Sequence, residues 1–242
     1  MKMPTSQCVI KNNFKKVLSN KGFSLIEILV ALLLVVGIIA ITTIGTNPGR
    51  DSLDEMLFLM ERSVRFSNDE AILRNTVTRI HYFLDKEPQE FAVEFGPDSD
   101  FTLPLGFIDR KSYDVLSERE KKERDEETKS LNQKFNKIQD FQENNKKMEG
   151  GITIVAMATT LNENIFSENE AAIYVFPNGE KDGAIIVLSS YEELASISFE
   201  PFSFEFEYNY YPIEGDFIDE EEREQFVYNK ALEIIKTWQS QK

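Results

Sequence analysis

The feature that most constrains this chain is an apolar stretch near its N-terminus. Residues 23–45 are FSLIEILVALLLVVGIIAITTIG, and Glu27 is their single ionisable side chain. About 20 apolar residues in a helix cross the core of a bilayer, so this length predicts a membrane-spanning helix. A cleaved secretory signal is the alternative, but its apolar region has only about 7–15 residues before a small-residue cleavage site. Here the apolar stretch is longer, and Gly22 precedes it.

The two sides of this stretch differ in charge. Residues 1–22 contain five lysines and no acid, whereas the whole chain has 27 Lys and Arg against 42 Asp and Glu. The positive-inside rule therefore predicts that residues 1–22 stay cytoplasmic and that the chain beyond about residue 45 is exported. The net charge of -15 argues against nucleic acid as a partner, because nucleic-acid binding requires a basic surface.

Glu27 is the unusual residue of the apolar stretch. A carboxylate inside a membrane costs about 2–3 kcal/mol or more, so it normally has a partner. One interpretation is that Glu27, close to a helix end, extends its side chain to the lipid headgroups. The other is that it pairs with a cation from outside the stretch, since residues 23–45 contain no Lys, Arg or His.

Beyond the apolar stretch, the pattern predicts a helix and then a β-rich region. Pro48 interrupts the first helix, and Leu53, Met56, Leu57, Met60 and Val64 recur at helical spacing, which predicts an amphipathic helix over residues 51–74. Six segments have the composition of strands: residues 76–84, 90–96, 151–159, 171–180, 183–190 and 196–211. The dipeptides Asn178-Gly179 and Asp182-Gly183 predict a tight hairpin between the fourth and fifth of these segments. No helical pattern separates the last strands, so we expect antiparallel pairing.

Two further segments are rich in charge. In residues 117–149 both signs are mixed, and Leu131, Phe135, Ile138 and Phe141 form a weak helical stripe; a solvated helix, a flexible insertion or a docking arm would fit. Residues 219–242 predict an amphipathic helix capped by Asp219, which packs on the parent domain or captures a partner. Its predicted apolar face consists of Phe226, Leu232, Ile235 and Trp238. The expected fold class is α+β, with a long N-terminal hydrophobic and amphipathic helix packed on an antiparallel sheet, a charged insertion and a C-terminal helix.

The residues typical of catalysis are scarce. His81 is the single histidine and Cys8 the single cysteine, so the sequence offers neither a metal-ligand cluster nor a Ser–His–Asp arrangement. No segment has the Lys-Ser/Thr ending of a phosphate-binding loop. We therefore expect no enzymatic activity, no cofactor and no metal, with His81 either exposed or held by neighbouring groups.

The stretch KGFSLIEILVALLLVVGIIA closely resembles the N-termini of type IV prepilins and type II secretion pseudopilins. The resemblance implies that prepilin peptidase recognises Lys21 and cleaves between Gly22 and Phe23, and that the new amine of Phe23 is methylated. Glu27 matches the acid at the fifth mature position, which in that family pairs with the N-terminal ammonium of a neighbouring subunit.

Two internal segments resemble the GspH/FimT group of minor pilins within that family. In SNDEAILRNTVTRIHYF, the similarity is carried by Glu70, Ala71, Ile72, Arg74 and Val77. In IYVFPNGEKDGAIIVLSS, it is carried by Phe176, Pro177, Gly179, Gly183 and Ile185 or Ile186. The charged insertion and the acidic C-terminal helix depart from the group's usual pattern.

The resemblance implies a GspH-like minor pseudopilin at the tip of the periplasmic pseudopilus of a type II secretion system, which helps to export folded proteins across the outer membrane. A FimT-like minor pilin of a type IV pilus is the alternative. The implied location is the inner membrane, crossed once, with a periplasmic C-terminal domain. The implied partners are other pseudopilins of the filament tip, the prepilin peptidase, the inner-membrane secretion platform and secreted cargo.

The implied segments are a leader at 1–22, a filament-core helix at 23–45, its amphipathic half at 46–75, a β-rich head at 76–212 with an insertion at 110–149, and an acidic helical tail at 213–242.

Overall fold

A computed structural model describes residues 24–44, 48–97, 101–103, 117–139, 141, 145–162, 164–215 and 217–241. The chain divides into two compact units, residues 1–46 and residues 47–242. The described part of the first unit consists of helix α1, Leu25–Ile44. The second unit contains all the remaining elements.

The prediction of one long N-terminal helix packed on an antiparallel sheet is wrong. The apolar stretch ends as a helix at Ile44, a second helix, α2, spans Pro48–Arg74, and the strands form two sheets. Proline lacks a backbone N–H and has a fixed φ, so it is tolerated at the start of a helix but not in its interior. Pro48 accordingly is the first residue of α2.

The predicted location is also contradicted. Within the ranges that the structure describes, no helix combines the length and the apolar character needed to cross a bilayer. This finding conflicts with the expectation of a single-pass inner-membrane protein with a periplasmic domain.

Helix α2 confirms the amphipathic pattern. Leu53, Met56, Leu57, Met60 and Val64 are all buried, and together they form the stripe through which α2 packs on the strands. The helix ends where Asn75 adopts a left-handed conformation with φ 51° and donates its N–H to the Ile72 carbonyl. Asparagine tolerates this conformation better than most residues do, so Asn75 terminates the helix much as a C-terminal glycine would.

All the strand pairs are antiparallel, as predicted. The first sheet, sheet A, has the order β3-β2-β1-β7, and β4 also pairs with β2. The second sheet, sheet B, has the order β10-β9-β8-β5-β6. The strands span Thr78–Phe83 (β1), Glu90–Phe95 (β2), Asn136–Lys137 (β3), Lys146–Lys147 (β4), Thr153–Thr159 (β5), Ile165–Phe166 (β6), Glu170–Val175 (β7), Ala184–Ser189 (β8), Glu193–Phe199 (β9) and Glu207–Pro212 (β10).

The main core lies where α2 meets both sheets. It is formed by the α2 stripe together with side chains from sheet A and sheet B, among them Ile80, Tyr82, Phe91, Val93, Ile173, Met157, Ile186 and Ile197. A second cluster lies on the opposite face of sheet B, beneath helix α4, Glu220–Ser240. Each face of sheet B is therefore covered by apolar contacts along part of its width.

The predicted hairpin between residues 171–180 and 183–190 is confirmed only at its turn, where Val175 and Lys181 form an antiparallel bridge. A tight turn does form there, because the Phe176 N–H donates to the Glu180 carbonyl, and Gly179 has φ 84°. However, β7 pairs with β1 in sheet A, whereas β8 pairs with β5 and β9 in sheet B. The turn thus carries the chain from one sheet to the other.

The two charged segments also differ from the predicted details. Helix α3, Glu118–Asn132, begins with a capping box between Ser117 and Glu120, but it ends before Phe135 and Ile138, which are nevertheless buried. In α4, capped by Asp219 as predicted, the buried residues are Val227, Ala231, Ile234, Ile235 and Trp238. Phe226 is 38% exposed, so the apolar face of α4 is rotated relative to the predicted one.

Candidate functional site

The predicted processing site is described only from its C-terminal side. Lys21, Gly22 and Phe23 lie outside the described residues, and Glu27 lies in the first turn of α1. The Ser24 carbonyl accepts hydrogen bonds from the N–H groups of Glu27 (3.0 Å) and Ile28 (3.2 Å), and Ser24 Oγ is 3.3 Å from the Glu27 nitrogen. Ser24 therefore caps α1, and Glu27 occupies the third helical position, where a carboxylate interacts favourably with the helix dipole.

The described side chains of α1 are all exposed. Ten large apolar side chains between Leu25 and Val36 are between 49% and 83% exposed, and they lie all around the helix. A contiguous apolar surface of this kind marks an interaction site, because it is unfavourable in water. Glu27 is the one charged side chain on this surface, and no described cation pairs with it.

A polar network that includes the buried side chains of Arg79, His81 and Glu94 lies on sheet A at the end of α3. Arg79 Nε donates to Glu94 Oε2 at 2.8 Å, and one terminal nitrogen of Arg79 lies 2.6 Å from the same oxygen as an ion pair. The other terminal nitrogen donates to Asn132 Oδ1 at 2.7 Å. Asn132 Nδ2 donates to Glu170 Oε2 at 2.8 Å. His81 Nε2 is 3.1 Å from the same Glu170 oxygen, and its Nδ1 lies 3.4 Å from Glu94 Oε2 without hydrogen-bond geometry. The five residues thus form a closed ring.

The charges of this ring hold both carboxylates ionised. Burial acts to raise the pKa of Glu94, but the adjacent His81 ring and the Arg79 charge outweigh it, so the pKa lies below its usual value. The hydrogen bond with His81 lowers the pKa of Glu170 against the opposing effect of burial. The described residues contain no group of metal ligands. His81 is buried and not exposed, and Nε2 is the ring nitrogen that has a hydrogen-bond partner, whereas Nδ1 has none within the described ranges.

The turn between β7 and β8 buries two charged side chains that do not pair with each other. Asp182 accepts hydrogen bonds from the Leu161 N–H (2.9 Å) and from Thr160 Oγ1 (3.0 Å), and burial raises its pKa to about 6. Lys181 donates to the Ser203 carbonyl, and burial lowers its pKa. These contacts attach the turn to the loop after β5 and to the loop between β9 and β10.

The loop between β9 and β10 presents two exposed aromatic rings. Phe202 is 74% and Phe204 66% exposed, although the loop backbone is held by Lys181 and by Arg65, which donates to the Phe204 carbonyl at 3.2 Å. Exposed aromatic side chains on a fixed backbone lose little conformational freedom when they are covered. Sequence reasoning did not identify this loop, because residues 196–211 were assigned to one continuous strand.

A groove of about 380 Å³ lies between α4 and the outer face of β9 and β10. Alternate residues of β9 point to this face, so that Leu194 contacts the α4 cluster while Ser196 and Ser198 line the groove. Its lining on β10 includes Asn209, which is opposite Ser196 in the strand register. Sequence reasoning missed the groove because the alternation of serines on β9 does not reveal how far α4 extends across the sheet.

Comparison of the chain with known protein families, with curated proteins and with solved structures finds no match.

Proposed function

We propose that this chain is a minor pseudopilin of a type II secretion system, a subunit of the filament-tip complex that helps to export folded proteins across the outer membrane. The proposal is supported by the N-terminal motif Lys21-Gly22-Phe23 with Glu27, and by the resemblance of the two internal segments to the GspH/FimT group.

The single observation that carries the proposal is the surface of α1. Ten exposed apolar side chains surround one carboxylate in the first turn. Covering such a surface contributes about 25 cal/mol for each Å² of apolar area removed from water, which favours assembly with other apolar helices. In an assembly of like subunits, the helices cover one another, and the carboxylate requires a cation in the same apolar surroundings.

The N-terminal ammonium of a neighbouring processed subunit is the cation that fits this requirement. Cleavage before Phe23 would place that amine four residues before the carboxylate of Glu27. A neighbour displaced along the filament then supplies the amine to Glu27, and the pair forms only when the subunit that supplies the amine has been processed. Once the pair is formed, removal of one member leaves the other uncompensated, which costs several kcal/mol in a desolvated site.

The remainder of the chain supplies contact surfaces. The loop that carries Phe202 and Phe204 and the outer face of α4 both lie in the second unit, residues 47–242. The described residues contain no group of metal ligands. A structural subunit that contacts other tip subunits or cargo is consistent with these features.

The test is the substitution Glu27→Gln, with Glu221→Gln as the matched control. Glutamine at the third helical position is compatible with the cap from Ser24, so the substitution removes the charge while it keeps the local helix. Glu221 is likewise an exposed acid in the first turn of a helix, α4. We expect Glu27→Gln to be processed normally but to co-purify with the other pseudopilins at a strongly reduced level, and Glu221→Gln to behave as wild type.

Equal co-purification of Glu27→Gln and wild type would contradict the pairing of Glu27 with an amine. Loss of processing together with loss of co-purification would contradict the expected normal processing and would assign Glu27 to recognition by the peptidase.

A further inference from the structure

The groove beside α4 has a floor of strand residues and a wall of helix residues. Ser196, Ser198 and Asn209 lie on the floor, and Trp238 and Thr237 lie on the wall. The outer face of β5 and β8 beneath α4 is apolar, with Ala156, Ala158, Ile185 and Val187 in the α4 cluster. The face therefore changes from apolar to polar at β9, where the cover of α4 ends and the groove begins.

The two floor serines are buried hydroxyl groups that line this cavity. Ser196 is 1% and Ser198 5% exposed, and within the described chain neither hydroxyl forms a hydrogen bond with another residue. The space in front of these hydroxyls is the groove, and a molecule in the groove can both donate to them and accept from them.

The charges around the groove favour a neutral ligand. Lys230 Nζ is paired with Glu233 Oε2 at 2.9 Å, so the one cation of the lining is already neutralised. Glu207, an exposed acid, also lines the groove. A phosphate or carboxylate ligand would have no free cation to bind and would be repelled by Glu207.

Aromatic side chains complete the lining. Trp238 and Tyr211 lie at the same groove as the serines and Asn209. The faces of sugar rings that carry C–H groups are apolar, whereas their hydroxyls both donate and accept hydrogen bonds. Hydroxyl, amide and aromatic groups on one concave surface suit such a ligand, and the volume of about 380 Å³ lies in the range of small-molecule sites.

We propose that the groove between α4 and the β9–β10 face binds a neutral saccharide, with Ser196, Ser198 and Asn209 as hydrogen-bonding residues and Trp238 as an aromatic contact. This inference does not depend on membership of a secretion filament, because it uses only residues of the second unit.

Trp238 allows a direct test, since it is the single tryptophan of the chain. The full chain, kept in a detergent without a sugar headgroup, is titrated separately with cellobiose, maltose and N,N′-diacetylchitobiose while tryptophan fluorescence is recorded. Glucose 6-phosphate and glucosamine serve as the charged comparison compounds. We expect a saturable change with at least one neutral disaccharide, with a Kd of about 1 mM, and none with glucose 6-phosphate.

Variants assign the signal to the groove. Asn209→Ala is expected to raise the Kd about tenfold through loss of a hydrogen bond, and Ser196→Val to abolish binding by filling the floor. Ser196→Ala removes the hydroxyl without adding volume, which keeps the test valid if the valine variant fails to fold. Asn136→Ala, an exposed strand asparagine of sheet A, is the matched control and should bind as wild type.

The proposal is overturned if none of the three disaccharides gives a saturable change. It is equally overturned if glucose 6-phosphate binds as tightly as the neutral disaccharides, or if Asn209→Ala and Asn136→Ala bind alike.

Discussion

Substitution of Arg79 by methionine should destabilise the second unit strongly. The Arg79 side chain is 2% exposed, and the partner that it would abandon, Glu94, is 8% exposed. Methionine keeps much of the volume but supplies no charge, so the Glu94 carboxylate would remain buried beside His81 alone. Removal of one member of a buried ion pair costs about 3–5 kcal/mol, mainly because the other charge is left uncompensated. We expect a loss of that size in the free energy of unfolding.

Urea denaturation at pH 7 measures this loss in the free energy of unfolding, and two further variants show whether it comes from the ion pair. Arg119→Met is the control, because Arg119 forms an exposed pair with Glu123 on α3, for which about 0.3–0.5 kcal/mol is expected. The double variant Arg79→Met/Glu94→Gln removes both charges and should be clearly more stable than Arg79→Met. A loss below about 1 kcal/mol for Arg79→Met, or a double variant no more stable than the single one, would refute the assignment of a buried, mutually dependent ion pair.

Three further predictions concern pH and the turn between the sheets. Folding lowers the pKa values of Glu94 and Glu170, so their ionised forms stabilise the folded state fully above the unfolded pKa of about 4.3, and this stabilisation is lost as pH falls through the folded pKa values. Urea unfolding measured at decreasing pH should show this loss of stability. Glu94→Gln should make the loss smaller. Asp182 has the opposite sign, because its folded pKa of about 6 exceeds its ordinary 3.8, so stability falls as pH rises between these values. Asp182→Asn should abolish this dependence and unfold at higher urea than wild type at pH 7. Gly183→Ala should lower stability by about 1–3 kcal/mol in the same assay, since its Cβ would lie 2.9 Å from Cδ of Pro201.

The parts of the fold that could be predicted are those with a local period. The apolar stripe of α2 repeats every three to four residues, and the strands alternate or carry β-branched and aromatic residues, so both follow from neighbouring positions in the chain. Asp219 and Ser117 likewise initiate helices through contacts three residues away. These elements are where sequence and structure agree.

The arrangement of the elements could not be predicted in the same way. Asn178-Gly179 indicates a turn, but it does not determine that the following strand joins sheet B through pairing with β5 and β9. The contacts of His81 show the same difficulty, since Glu170 is 89 positions away in the chain. Phe135 follows α3 at helical spacing yet lies beyond its end, held by packing against Tyr174.

Of the candidate sites, one could be identified from a local sequence motif and the other depends on tertiary packing. The sequence motif identifies Glu27, and the structure places it in the first turn of α1. An acid in the first turn interacts favourably with the helix dipole. The groove of Ser196, Ser198 and Asn209 depends on the distance that α4 extends across sheet B, which is a tertiary property. The rotation of the buried face of α4, with Phe226 exposed, shows that its docking was not fixed by local pattern alone.

The central claim, that the chain is a processed filament subunit, is tested most directly by the mass of its N-terminus in the assembled state. Pseudopilus complexes are purified, and the N-terminal peptide of this subunit is analysed by mass spectrometry. The proposal predicts a chain that begins at Phe23 with a methylated amine. Assembled protein that retains Met1 would contradict it.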